Sequence, residues 1–83
     1  MRSSASRLTL FDPAIYSIRV LGPLDVSWSE QLGGLDIVVV RAGDLAVTEL
    51  TGRLTDQAAL VSIITSLYDL GMPLLSVEWL ATA

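Results

Sequence analysis

Hydrophobic and polar positions along this chain change period several times, and each change marks a predicted element. Residues 16–21 alternate, with Tyr16, Ile18 and Val20 on one side and Ser17, Arg19 and Leu21 on the other, until Gly22-Pro23 ends the run. A strand is predicted there. From Leu24 the spacing lengthens: Leu24, Trp28 and Leu32 recur every fourth residue, Ser27 and Glu30 stand at capping-box separation, and Gly33-Gly34 follows. This predicts a short helix over 24–32. Two strand-like runs, 35–42 and 45–54, flank Gly43-Asp44, a dipeptide that supplies the positive φ a two-residue hairpin loop demands. Pairing Ala42 with Leu45 and counting outward sets Ile37 against Leu50 and Val39 against Thr48 on one face. Val38 then meets Glu49, and Val40 meets Val47, on the other.

The clearest element follows. Thr55 or Asp56 is the N-cap, Leu60, Ile63, Ile64, Leu67 and Leu70 form one stripe, and Ser62, Thr65, Ser66 and Asp69 lie away from it. Gly71 occupies the C′ position with Pro73 beyond, so the helix has a defined end. Residues 74–80 read as a last strand with Leu75, Val77 and Trp79 on a shared face. The order predicts an α+β fold of the ferredoxin-like β-α-β-β-α-β kind, a four-stranded antiparallel sheet with both helices on one face. It fills a single domain over 15–80, preceded by a flexible leader at 1–14 and followed by a tail at 81–83.

Two stretches carry a resemblance. Thr48-Glu49-Leu50-Thr51-Gly52-Arg53-Leu54-Thr55-Asp56-Gln57-Ala58-Ala59-Leu60 and Leu67-Tyr68-Asp69-Leu70-Gly71-Met72-Pro73-Leu74-Leu75-Ser76-Val77 resemble a group of short bacterial proteins of unassigned function. In that group a strand ending in Leu-Thr-Gly leads into Asp-Gln-Ala-Ala-Leu and a helix closed by Asp-Leu-Gly. The resemblance spans roughly residues 16–79 and implies a shared fold but no activity. Each recognisable residue also has a local duty: Asp56 caps, Gly71 ends the helix and Pro73 blocks its continuation.

Length and composition narrow the functional classes. A chain of 83 residues buries only about 60–65% of its unfolded surface, so its core is marginal unless something supplements it. There is no Cys and no His, which removes disulfides and the usual zinc ligands and leaves oligomerisation as the expected supplement. Five Arg, no Lys, and nine Asp plus Glu give a net charge of −4. Arg2, Arg7, Arg19, Arg41 and Arg53 are scattered, so the cationic footprint of a nucleic-acid binder is missing. Hydrophobic residues make up 52% and mean hydropathy is +0.60, yet the longest apolar run, Ile37-Val38-Val39-Val40, stops at Arg41. That is a buried strand rather than a membrane span. No signal peptide is recognised, and a cytoplasmic protein is expected.

Catalytic chemistry has little to work with. Without His, Cys or Lys, the common nucleophiles and neutral-pH bases are absent, and no calcium loop, phosphate loop or dinucleotide fingerprint is found. Neither a cofactor nor a metal is expected. The informative feature is the second sheet face. Where a lone domain should turn polar, it holds Leu21, Val38, Val40, Leu45, Val47 and Leu74 among Arg19, Glu49 and Thr51. An apolar patch ringed by charges marks an interface. The expected function is therefore a non-catalytic interaction module that forms a homodimer through this face or docks on a larger protein. Two alternatives remain open. One is a cofactor-independent dimeric α+β barrel enzyme using Tyr16, Arg19, Trp28 and Glu49; the other is an effector-binding regulatory domain with its ligand near Gly22 and Gly71.

Overall fold

A computed structural model describes residues 8–82. It contains strands β1 (Ala14–Leu21), β2 (Asp36–Ala42), β3 (Leu45–Leu54) and β4 (Leu74–Thr82), with one α-helix, α1 (Gln57–Asp69). All neighbouring strands are antiparallel and lie in the order β2-β3-β1-β4. It follows that β1 and β2 run parallel on either side of β3, and β3 and β4 on either side of β1. The protein is a small α+β fold with one four-stranded antiparallel sheet.

The hairpin is set by its turn. Gly43 has φ +61° and Asp44 does not need a positive φ, so glycine stands at the first central position of the loop. The register runs from Ala42↔Leu45 through Val40↔Val47, Val39↔Thr48, Val38↔Glu49 and Ile37↔Leu50 to Asp36↔Thr51, as the sequence predicts.

The helix begins and ends on local chemistry. Asp56 is the N-cap and its Oδ1 accepts the Ala59 backbone N–H at 2.9 Å. At the other end Gly71, φ +76°, donates to the Tyr68 carbonyl and Met72 N–H reaches the Leu67 carbonyl at 3.1 Å, the double closure of a Schellman motif. Leu60, Ile63 and Leu67 are buried and Ile64 half-buried, while Leu70 is 38% exposed because the stripe runs off the sheet there. Asp56→Ala is expected to lower stability by about 1 kcal/mol, with Asp56→Asn losing much less; thermal unfolding of the two variants measures the difference.

The predicted helix over 24–32 is not formed. Two 3-10 turns, Val26–Trp28 and Glu30–Leu32, take its place, so the full ferredoxin-like β-α-β-β-α-β order is not matched: the described residues hold one α-helix. The physical reason lies in the side chains. Asp25, not Ser27, is the cap, accepting the Ser27 N–H at 2.9 Å, and the Ser29 hydroxyl donates to the Leu35 carbonyl at 2.6 Å. Such local bonds offer the backbone an alternative to the helix, and Gly33 and Gly34, both at φ +72°, stop any extension. The Asp25 carboxyl is held below its usual value by the hydrogen bonds from Ser27. The apolar spacing still does its work for two of its three residues: Leu24 and Leu32 are buried, whereas Trp28 is 38% exposed.

Two boundaries also differ from the sequence reading. The first strand starts at Ala14, within the stretch read as leader, and Leu8 packs half-buried against the core. The last strand runs through Ala81 to Thr82, within the stretch read as tail. The leader assignment for residues 1–7 lies outside the described residues. Along β4 the register slips twice, leaving Leu80 unpaired between Trp79 and Ala81 and Leu75 unpaired between Leu74 and Ser76.

One core results. Ala14, Tyr16, Ile18 and Val20 of β1, Leu50 and Leu54 of β3, and Ile37 of β2 meet Leu60, Ile63 and Leu67 of α1 together with Leu24, Leu32 and Leu35. Helix and 3-10 turns therefore lie on the same side of the sheet, each roofing part of it. Thr48, the buried polar residue of this layer, donates its hydroxyl to the Gly22 carbonyl at 2.6 Å and so carries no unmet hydrogen bond.

Candidate interaction surface

Strand alternation sends the other half of each strand to the side opposite α1. Across the sheet these residues form rows. Val40, Val47 and Leu21 make the first; Val38, Glu49, Arg19 and Ser76 the second; Asp36, Thr51, Ser17 and Glu78 the third; Arg53, Ile15 and Ala81 the last. Leu45, of the same parity as Val47, extends the first row toward the hairpin tip. The face is thus graded: aliphatic at the hairpin end, with the Arg19 and Glu49 charges in the middle, the acids Asp36 and Glu78 in the next row, and Arg53 with Ile15 at the far end.

Val38, Val40 and Leu45 are 54%, 46% and 58% exposed, and Val47 and Leu21 are half-buried. In the middle row the Arg19 Nε lies 3.3 Å from Glu49 Oε2, both side chains open to solvent, so the pair adds little stability by itself. It does neutralise the centre of the face. Thr51 Oγ1 donates to Ser17 Oγ at 3.5 Å in the next row.

Of the residues expected on this face, Arg19, Leu21, Val38, Val40, Leu45, Val47, Glu49 and Thr51 are brought together. Leu74 is not: the slip at Leu75 sets it opposite Val20, a core-side position, where it is 48% exposed. Ile15 also belongs to the face, and the sequence reading omits it because it starts the strand at Tyr16. The alternation of Ala14 and Ile15 with Tyr16 was the available signal.

The residues considered for an enzyme pocket do not converge. Arg19 and Glu49 stand on the open face, Tyr16 is buried in the core layer and Trp28 sits on the 3-10 turns. Among the described residues no group of acidic side chains is arranged to hold a metal ion. No described helix is long and apolar enough to cross a membrane. Away from the sheet face, an open groove of about 320 Å³ lies between Leu10 and Phe11 and the first turns of α1, lined by Asp56, Gln57, Ala58 and Val61. The outer side of α1 also exposes Val61 and Tyr68 at 54% and 78%.

A model of a protein family described as a domain of unknown function matches residues 15–78, which takes in the helix and all of the sheet but its first residue and the end of β4. No curated protein and no solved structure matches the chain.

Proposed function

The chain belongs to the DUF8691 family, and from the graded sheet face we propose that it is a non-catalytic interaction module that pairs with a second copy of itself, face to face. The observation that carries this reading is the aliphatic row Val40, Val47 and Leu21 with Val38 and Leu45 beside it, which no element among the described residues covers. Burying about 300–400 Å² of such surface on each partner is worth on the order of 8–10 kcal/mol gross per partner at about 25 cal/mol/Å². Association costs of about 4–15 kcal/mol are set against the sum over both partners.

Charge placement supports a two-fold axis near the aliphatic row. An isologous interface brings each residue near its own image or a common partner. An axis at the Asp36 and Glu78 row would press acids together, whereas one at Val47 joins aliphatic side chains and leaves the Arg19–Glu49 pairs to the rim. Strand order and covered face support a reduced ferredoxin-like domain, in which 3-10 turns replace the first helix. Such a lightly roofed core gains most from a partner.

The test is mass in solution. Light scattering at tens of micromolar is expected to give a multiple of the monomer, and Leu45→Glu with Val47→Glu is expected to weaken self-association by about 100-fold or more while circular dichroism stays unchanged. Val61→Glu, on the outer helix surface, is expected to leave the mass alone. A strictly monomeric wild-type chain would overturn the proposal.

A further inference from the structure

The two edges of the sheet are not alike. On β4 the register with β1 slips at Leu75 and at Leu80, and bulges of this kind blunt an edge against pairing. Among the described residues the β2 edge has no such protection. It keeps register with β3 from Asp36 to Ala42 without a slip, contains no Pro and no Lys, and presents Val38, Val39 and Val40 in succession. We propose that β2 pairs antiparallel with β2 of a second copy, about a two-fold axis normal to the sheet through Val39, extending one sheet into the other.

Backbone phase selects this register. The Ala46 carbonyl accepts from Gly22 N–H on the β1 side at 2.7 Å, so Ala46 turns away from β2. Its partner Arg41 accordingly turns its own N–H and C=O to the free edge, and alternation sends those of Val39 and Ile37 the same way. With Val39 on the axis, Val39 meets its own image and Ile37 meets Arg41 of the other copy, so every outward group finds a partner. The whole strand is used, since Asp36 then lies across from Ala42. Shifting the axis to Val38 puts inward-turned groups at the centre and pushes Arg41 past the strand end.

Side chains and charges agree. A two-fold normal to the sheet keeps each face on its own side, so Val38 packs against Val40 of the other copy on the open face and Val39 against itself on the covered face. Antiparallel pairing sets Asp36 and Arg41 at opposite ends from their images, whereas parallel pairing would align like with like. The second copy is thus favoured by its own sequence. This contact is independent of the face-to-face pairing.

Amide hydrogen exchange on the native chain is the direct test. The amides of Ile37, Val39 and Arg41, which have no acceptor on β3, are expected to exchange about 100-fold or more slower than an unstructured chain at high protein concentration and to lose that protection on dilution. Val38 and Val40 are expected to stay protected throughout. The variant Val39→Pro removes an outward donor without touching the β2–β3 ladder and is expected to halve the mass while the Leu45→Glu, Val47→Glu variant still shows slow exchange at Val39. Fast exchange at Ile37, Val39 and Arg41 at every concentration would overturn the edge pairing. Loss of mass in Leu45→Glu, Val47→Glu alone would speak only to the sheet face.

Discussion

Leu50→Ala is expected to lower the unfolding free energy by about 3–4 kcal/mol. Leu50 is fully buried at 0% exposure, in a central strand, with Ile18 on one side and Ile37 on the other in register. It belongs to the one buried cluster that also holds Leu32, Leu35 and the buried residues of α1. Truncation leaves a void in a fully buried central strand, and the cost grows with the cavity that cannot collapse. A chain of 83 residues has about 4–12 kcal/mol in total, so this one change removes a large share of it. Urea unfolding at fixed protein concentration measures the loss, because a self-associating chain has a midpoint that depends on concentration. A loss below about 1 kcal/mol would mean that the core around Leu50 closes over the missing atoms and is not tightly packed there.

Gly33→Ala is expected to be the second most damaging substitution, at about 2–4 kcal/mol, and Gly34→Ala is its control. Both glycines sit at φ +72°, so both variants carry the left-handed strain of about 1–2 kcal/mol. They differ in what surrounds the new carbon. A Cβ on Gly33 would lie 2.9 Å from Ile63 Cδ1 and 3.2 Å from Leu54 Cδ2, while one on Gly34 meets nothing within 4 Å. The difference between the two unfolding free energies therefore isolates the pressure of the crossover on the helix. Equal losses would show that Gly33 is needed for its dihedral alone.

Much of this architecture was legible because particular residues decide it locally. Gly43 fixes the hairpin, and with it the face of every residue from Asp36 to Leu54. Asp56 and Gly71 fix both ends of α1 through backbone groups within a turn of each. The open face followed from those assignments, since parity along a paired strand leaves no freedom. What was not legible lacked such a local decision. Leu24, Trp28 and Leu32 carry a helical spacing that is real as burial for two of the three, yet the backbone answers to Asp25 and Ser29, whose side chains bond it directly. In Leu74-Leu75 two adjacent aliphatics have no phase of their own, so the slip that turns Leu74 toward Val20 cannot be read from them.

The contrast between edges was hidden for a related reason. Composition makes β4, with Leu74, Leu75, Val77 and Leu80 exposed, as sticky as β2. Only the pairing with β1 reveals that its ladder is interrupted. The outer side of α1, with Val61 and Tyr68, was masked in the sequence by the strength of the inner stripe.

The sheet is roofed by two unlike pieces, and this bears on how such a domain can diverge. The helical piece is bounded at both ends by a cap and a closure, so adding or removing a residue would rotate Leu60, Ile63 and Leu67 off the sheet. The crossover from Pro23 to Gly34 is pinned chiefly by Leu24 and Leu32, with short turns between them. Insertions and deletions among family members should gather there, making that crossover the part of the domain free to acquire new specificity while the strands hold their register.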